Sequence, residues 1–276
     1  MTEARQISRT RHPVTSASLA ADLRALGLRA GELVIAHSSL SALGWVNGGA
    51  VAVIEALLDT LGPQGTLVMP SQSPHLSDPA NWSAPPVPET WWDTIRATMP
   101  AYDPRSTPTS GMGRVAEAFR GWPGAIRSAH PANSFVALGP LAAAVVREHR
   151  LEDPFGPGSP LAELHRRDAR ILLIGVGFDA CTALHFAEHR AWARRPLVRE
   201  GAPLMVDGRR QWVRFEIAEP LDSERFVPVG ASALAAGIGT QGPLGEGRGV
   251  LVAMRPLIDH ALRCWSEERD GDAPSA

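Results

Sequence analysis

Two histidines and a glutamate stand three and four residues apart in His185-Phe-Ala-Glu188-His189. On a helix this spacing puts all three side chains on one face. Two chemistries fit them. The pattern matches the H-x-x-E-H arrangement of inverted zinc peptidases, where two imidazoles hold the metal and a glutamate serves as base. It serves equally for acyl transfer, which needs one oriented imidazole and a partner carboxylate to take a proton from the nucleophile. A histidine near a helix start can also be a satisfied structural residue. Cys181 lies four residues before His185 on an apolar face, so it reads as a small core residue rather than a nucleophile.

The cluster is positioned by the apolar run Ile171-Leu-Leu-Ile174, which breaks at Gly175 and Gly177 and resumes with helical spacing. A strand that is apolar without alternation is covered on both faces, and ligands of α/β sheets collect where strand ends meet helix starts. Asp179 or Thr182 can cap the new helix. The same alternation recurs upstream: a helix over Ser16–Leu28, a strand Leu33–Ala36, a helix Ala50–Leu61 and a strand Thr66–Met69 predict a parallel or mixed sheet. His37-Ser38-Ser39-Leu40 closes the first strand, and Gly48-Gly49 opens the following helix, whose free amides would suit a phosphate or merely form a turn. No phosphate-loop or dinucleotide fingerprint is present.

Residues 70–108, rich in Pro, Ser, Asp and Trp, form a long excursion that either lines a site or is a surface insertion. Further strands and helices are predicted at Phe135–Leu138, from Gly139-Pro140 to about His149, and from Pro160. Asp207-Gly208 between apolar runs predicts a hairpin, and Glu216, Glu219, Asp222 and Glu224 crowd its exit. A final strand and helix run over Val250–Met254 and Pro256–Trp265. Residues 1–15 and 270–276 lack periodicity and read as loosely held ends of one 16–269 domain.

The composition allows a continuous core, with 44% hydrophobic residues in 276. The 27 basic and 29 acidic residues leave a formal charge of -2, so no basic field exists for nucleic acid. Two cysteines make no disulfide framework, and no run suits a signal peptide or membrane span; the cytoplasm is the default location.

In order along the chain, His37-Ser-Ser-Leu40, the Gly48-Gly49 helix start, Leu61-Gly-Pro-Gln-Gly-Thr-Leu-Val-Met-Pro70, Arg127-Ser-Ala-His-Pro131 with Ser134, Ser159-Pro160, and Leu172-Leu-Ile-Gly-Val-Gly177 with Thr182-Ala-Leu-His-Phe-Ala-Glu188 resemble the aminoglycoside 3-N-acetyltransferase family. The resemblance spans about Leu23 to Trp265. It implies a single-domain α/β sandwich, a central mixed sheet flanked by helices, distinct from the common N-acetyltransferase fold. Acetyl-coenzyme A is then the donor, and a 2-deoxystreptamine amine the acceptor. No metal is expected, and the protein would be a monomer or homodimer.

The resemblance makes His185 the base and puts its carboxylate partner after the hairpin, where Glu219 is favoured over Glu216 and Asp222. It implies coenzyme A contacts at His37, Ser38, Ser39, Leu40, Gly48, Gly49, Arg127, Ser128, His130 and Ser134. Amides and hydroxyls at Ser38 to Leu40, Ser39 above all, could also stabilise the oxyanion of the thioester. Acids at Asp78, Glu188, Glu216 and Asp222 are expected to hold the cationic acceptor. A zinc hydrolase built on His185, Glu188 and His189, or a protein that binds aminoglycosides without reacting, are the alternatives.

Overall fold

The computed structural model describes residues 3–192, 195–220 and 222–271. The chain begins with α1 (Glu3–Arg9), α2 (Ser16–Leu26), β1 (Leu33–Ser38), α3 (Gly49–Leu61) and β2 (Thr66–Pro70). Next come α4 (Trp92–Thr98), α5 (Gly113–Arg120), β3 (Ile126–Arg127), β4 (Phe135–Leu138), α6 (Ala142–Val146) and α7 (Pro160–Arg166). The second half holds β5 (Arg170–Ile174), α8 (Leu184–Ala191), β6 (Leu197–Val206), β7 (Arg209–Ala218), α9 (Phe226–Ala235), β8 (Thr240–Leu244), β9 (Gly247–Ala253) and α10 (Met254–Gly271).

Seven strands form one mixed sheet in the order β3-β4-β2-β1-β5-β9-β8. Its middle is parallel, β1 pairing with both β2 and β5, and the outer pairs are antiparallel. As expected of apolar runs without alternation, β1, β2 and β5 are covered on both faces. Val34, Ala36, Leu172 and Ile174 join the core under α2, α3 and α5. Leu33, Ile35, Ile171 and Leu173 join the core under α6 to α10, which includes the fully buried Phe226 and Trp265. Burying a side chain of this size stabilises the fold by roughly 1.5–3 kcal/mol.

β1 therefore sends its chain to one face and β5 to the other. Such a switch leaves a crevice at the carboxyl ends of the strands. The β5 chain enters α8 through a short 3-10 turn, Phe178–Ala180. Here Gly230 of α9 is required, since a Cβ would stand 1.9 Å from the Phe178 ring.

Several boundaries differ from the sequence reading. Helix α2 is capped by Thr15, with Ser18 completing a capping box. Neither Asp179 nor Thr182 caps α8; its first amides are met by backbone, Leu184 N–H on Cys181 O and His185 N–H on Thr182 O. His37 and Ser38 belong to β1 itself. Segment 1–15 contains α1, where Glu3 accepts a hydrogen bond from Trp45 Nε1 at 3.1 Å. Asp270 and Gly271 end α10, and the rest of the expected C-terminal tail lies outside the described residues.

The excursion does both of the things open to it. Its start and the chain just beyond it, through Pro70, Gln72, Gly111 and Met112, line the crevice. Its middle docks on the β6–β7 hairpin: Asn81 Nδ2 donates to Arg199 O, Tyr102 N–H to Pro203 O and Arg210 Nε to Met99 O. The hairpin turns at Asp207 (φ 50) and Gly208 (φ 73), the positive angles that an Asp-Gly pair tolerates.

Candidate active site

A cleft of about 530 Å3 opens at the carboxyl ends of the parallel strands. His37 and Ser38 of β1 and Pro70 of β2 form one side, and Thr182 and His185 the other. The His185 ring stacks on Phe155 (centroids 4.8 Å apart, 19° between planes) and meets the edge of Phe226 at 4.8 Å. Two rings thus fix its orientation.

His185 Nδ1 lies 2.6 Å from Glu188 Oε2, one helical turn on. The Glu188 side chain is 1% exposed and its other oxygen, Oε1, pairs with the Arg195 guanidinium. A carboxylate at that distance accepts a hydrogen bond from Nδ1–H, which leaves the lone pair on Nε2. Burial, then the Arg195 charge, push the imidazole from 6.5 down to about 4. Glu188 pulls the other way, but Arg195 shares its carboxylate and weakens that pull. At neutral pH His185 is therefore a free base.

The acids expected to face His185 or the acceptor are placed otherwise. Glu219 is exposed, and its backbone closes the hairpin base: its N–H donates to Pro196 O at 2.9 Å, and Arg195 Nη1 donates to its carbonyl at 3.0 Å. The expected His185–Glu219 pair is thus replaced by His185–Glu188, because β7 runs to Ala218 before the chain is free to turn. Glu216 is exposed on β7, 3.7 Å from Arg199. Asp78 is bound by Arg96 at 2.6 Å and caps Ala80 N–H inside the excursion. Asp222 caps Glu224 N–H at the exposed rim, beside the cleft-lining Ser223. The carboxylate that does line the cleft is Asp179, exposed on the turn before α8. The sequence reading treated it only as a cap; its place two residues after Gly175-Val-Gly177 was the available signal.

The expected coenzyme A contacts divide in the same way. His37 and Ser38 reach the cleft. Ser39 spends its N–H on Ile174 O at 2.9 Å and its hydroxyl lies 3.2 Å from that of Ser41, so its amide is closed to an oxyanion. Leu40 packs against the core beneath α3. Gly48 (φ 84) and Gly49 (φ 59) make the turn into α3, with Gly49 N–H on Val46 O, and neither lines the cleft.

The Arg127 loop is internal. Arg127 gives Nε to Ser134 Oγ (2.9 Å), Nη1 to Thr107 O (2.6 Å), and Nη2 to Ser71 O (2.5 Å) and Ser73 Oγ (2.9 Å). Ser134 Oγ donates to Ser71 O. Ser128 Oγ accepts from Phe135 N–H and meets His149 Nδ1 at 2.8 Å. His130 Nδ1 accepts from Asn133 N–H, and its Nε2 faces Leu151 O. Arg127 and Ser134 clamp both ends of the excursion to β3 and β4, while Ser128 and His130 hold His149 and Leu151. Only His130 touches open space, in a second cavity of about 170 Å3 that shares Asn133, Phe155 and Pro220 with the cleft.

For metal chemistry the geometry offers less. His189 Nδ1 lies 3.6 Å from Asp153 Oδ1, and both residues line one small cavity with the His185–Glu188 pair. Among the described residues no group of three or more His, Cys, Asp or Glu side chains converges as a metal site. Cys181 is fully buried, and burial pushes its thiol up to about 12.

The buried imidazoles make the fold acid-sensitive. Burial holds His37, His130 and His185 at about 4 and His149 at about 3. Between 6.5 and about 4 the unfolded chain binds more protons than the native one, so stability rises with pH and is lost as pH falls through that window. Thermal unfolding followed by circular dichroism should show the midpoint dropping steadily from pH 6.5 to 4.5. A flat midpoint would mean that these rings already carry protons when folded.

Fold and site together define an α/β-sandwich enzyme that carries a carboxylate-backed imidazole at the switch point of its sheet. The sequence model of the aminoglycoside 3-N-acetyltransferase family matches residues 35–266. The SPbeta prophage-derived aminoglycoside N(3')-acetyltransferase-like protein YokD of Bacillus subtilis is 44% identical over 96% of each chain. Its crystal structure superposes with a TM-score of 0.93, covering 98% of this chain and 99% of that one. Aminoglycoside N(3)-acetyltransferase VII of Streptomyces paromomycinus is 40% identical over 98% of each chain. Two solved relatives, each 32% identical, carry ligands. AAC-IIIb is a binary complex with CoASH (TM-score 0.82, covering 96% of this chain and all, 100%, of that one). AAC-VIa is bound to sisomicin (TM-score 0.83, covering 94% and 99%). The chain belongs to the aminoglycoside 3-N-acetyltransferase family and is an acyltransferase.

Proposed function

We propose that the protein transfers the acetyl group of acetyl-coenzyme A to the 3-amino group of the 2-deoxystreptamine ring of an aminoglycoside, so conferring resistance. The observation that carries this is His185: Nδ1 is held by Glu188, and the ring lines an open cleft of about 530 Å3. The ligands of AAC-IIIb and AAC-VIa support the choice of donor and acceptor.

The acceptor amine is largely protonated at neutral pH. His185 Nε2 takes its proton, the nitrogen lone pair attacks the thioester carbonyl carbon, and a C–N bond forms. The C–S bond then breaks, the departing sulfur takes a proton from the imidazolium, and the freed imidazole passes the nitrogen's second proton to solvent to leave the neutral amide. No covalent enzyme intermediate is needed, since both partners are held in one cleft. Ammonium groups that do not react are held by Asp179, with Asp222 at the rim.

Two measurements test this. Thiol release from acetyl-coenzyme A should require an aminoglycoside, give a product acetylated at N3 by NMR, and yield intersecting initial-velocity lines. Binding of the antibiotic without thiol release would leave a binding protein, and parallel lines would mean an acyl-enzyme. Asp179→Asn should raise the acceptor Michaelis constant by about threefold to tenfold with little change in turnover, as fits an exposed charge pair. A fall in turnover alone would remove Asp179 from the cation site.

A further inference from the structure

The motif that closes β1 was expected to stabilise the oxyanion through Ser39, whose amide the structure commits to Ile174. His37, two residues earlier, is 7% exposed and lines the cleft. Its Nε2 is shielded from water and has no hydrogen-bond partner among the described residues. Buried polar atoms in native proteins are nearly always answered by protein, water or ligand. A nine-tenths buried imidazole that lines a binding cleft with one nitrogen unanswered is thus matched to something the cleft receives. The strand register sets His37 beside Leu173 of β5, and β5 leads through Thr182 to His185 in the same cleft.

We propose that His37 is a catalytic residue of the acyl transfer proposed above, donating a hydrogen bond from its imidazole to the carbonyl oxygen of the donor's thioester. The two cleft histidines are provisioned oppositely. His185 has a carboxylate at Nδ1 and can take a proton. Among the described residues His37 has no such carboxylate, and burial keeps it neutral down to about 4, so it offers an N–H and holds it. As the amine adds, the carbonyl oxygen gains negative charge and this hydrogen bond strengthens; the proton stays on His37. A neutral imidazole acting on a carbonyl in this way is established chemistry.

The inference rests on acetyl-coenzyme A being the donor, and its test separates the two. Acetyl-coenzyme A carrying 13C at the carbonyl is bound without acceptor to the native protein and to His37→Phe and His37→Asn, each checked for a native thermal transition. The infrared carbonyl band should move to lower frequency on binding the native protein, less in His37→Asn, and not at all in His37→Phe. Turnover should fall about 100-fold to 1000-fold in His37→Phe, while affinity for CoASH, which has no thioester carbonyl, holds. If His37→Phe does not fold, His37→Asn decides on the same readings. A band that shifts equally in variant and native protein overturns the role of His37 alone. So does lost CoASH affinity at unchanged turnover. Failure of the native protein to bind acetyl-coenzyme A overturns both readings.

Discussion

Replacing His185 by Gln should leave a folded protein whose acetyl transfer is slower by at least about 100-fold, the lower end of what a positioned general base contributes. The side chain is not part of the hydrophobic centre, and its ring mates Phe155 and Phe226 retain their other contacts. Glutamine keeps a hydrogen bond toward Glu188 but has no lone pair of sufficient basicity at the cleft end. The loss should appear in turnover, with the Michaelis constants nearly unchanged, because no binding role is assigned to Nε2. The acidic limb also has a sign. Burial pushes the imidazole down to about 4 and the acceptor is already protonated at neutral pH, so between pH 7 and 5 the rate should stay nearly flat and fall only below that. Steady-state rates across that range check both points. A folded variant with near-native turnover would remove His185 from the chemistry.

Glu188→Gln should be nearly as damaging, for two separable reasons. An amide can hydrogen-bond Nδ1 in either sense, so the imidazole loses its fixed tautomer. An equivalent acid-to-amide change behind a catalytic histidine costs up to about 10000-fold. The same change strands the Arg195 guanidinium, 10% exposed, without its carboxylate, and breaking one side of a buried pair typically costs about 3–5 kcal/mol. Adding Arg195→Met to Glu188→Gln should recover thermal stability without recovering rate. Glu219→Gln, by contrast, should leave turnover close to native, since its carboxylate is exposed and only its backbone is used. The reverse result, with Glu219 controlling rate, would contradict the geometry.

The core strands and the cleft histidine were legible because their signals are local. Ile171–Ile174 reads as a covered strand, and His185 follows it at a spacing that only a helix start explains. Glu188 was in plain view, yet its three-residue spacing was read as a metal pattern or an acceptor contact. What decides is the side-chain direction of α8, which buries Glu188 to 1% and points it back at His185. The Arg127 loop could not be read from its motif. Its four partners, Ser71, Ser73, Thr107 and Ser134, include three from 20 to 56 residues away, and only the folded chain brings them together. Helix α9 was missed for a related reason. Pro228 and Gly230 interrupt any periodic pattern, and Gly230 is there for the Phe178 ring rather than for the helix. Strand β8, Thr-Gln-Gly-Pro-Leu, is an edge strand with one buried residue and no apolar alternation to announce it.

The central claim is that His185 and Glu188 work as one base. It is tested most directly by measuring kcat/KM for thiol release with His185→Gln, Glu188→Gln and the two together. If Glu188 acts only through His185, the double variant is no slower than His185→Gln alone. If the two losses multiply in a folded double variant, Glu188 contributes independently and the pair is not the catalytic unit.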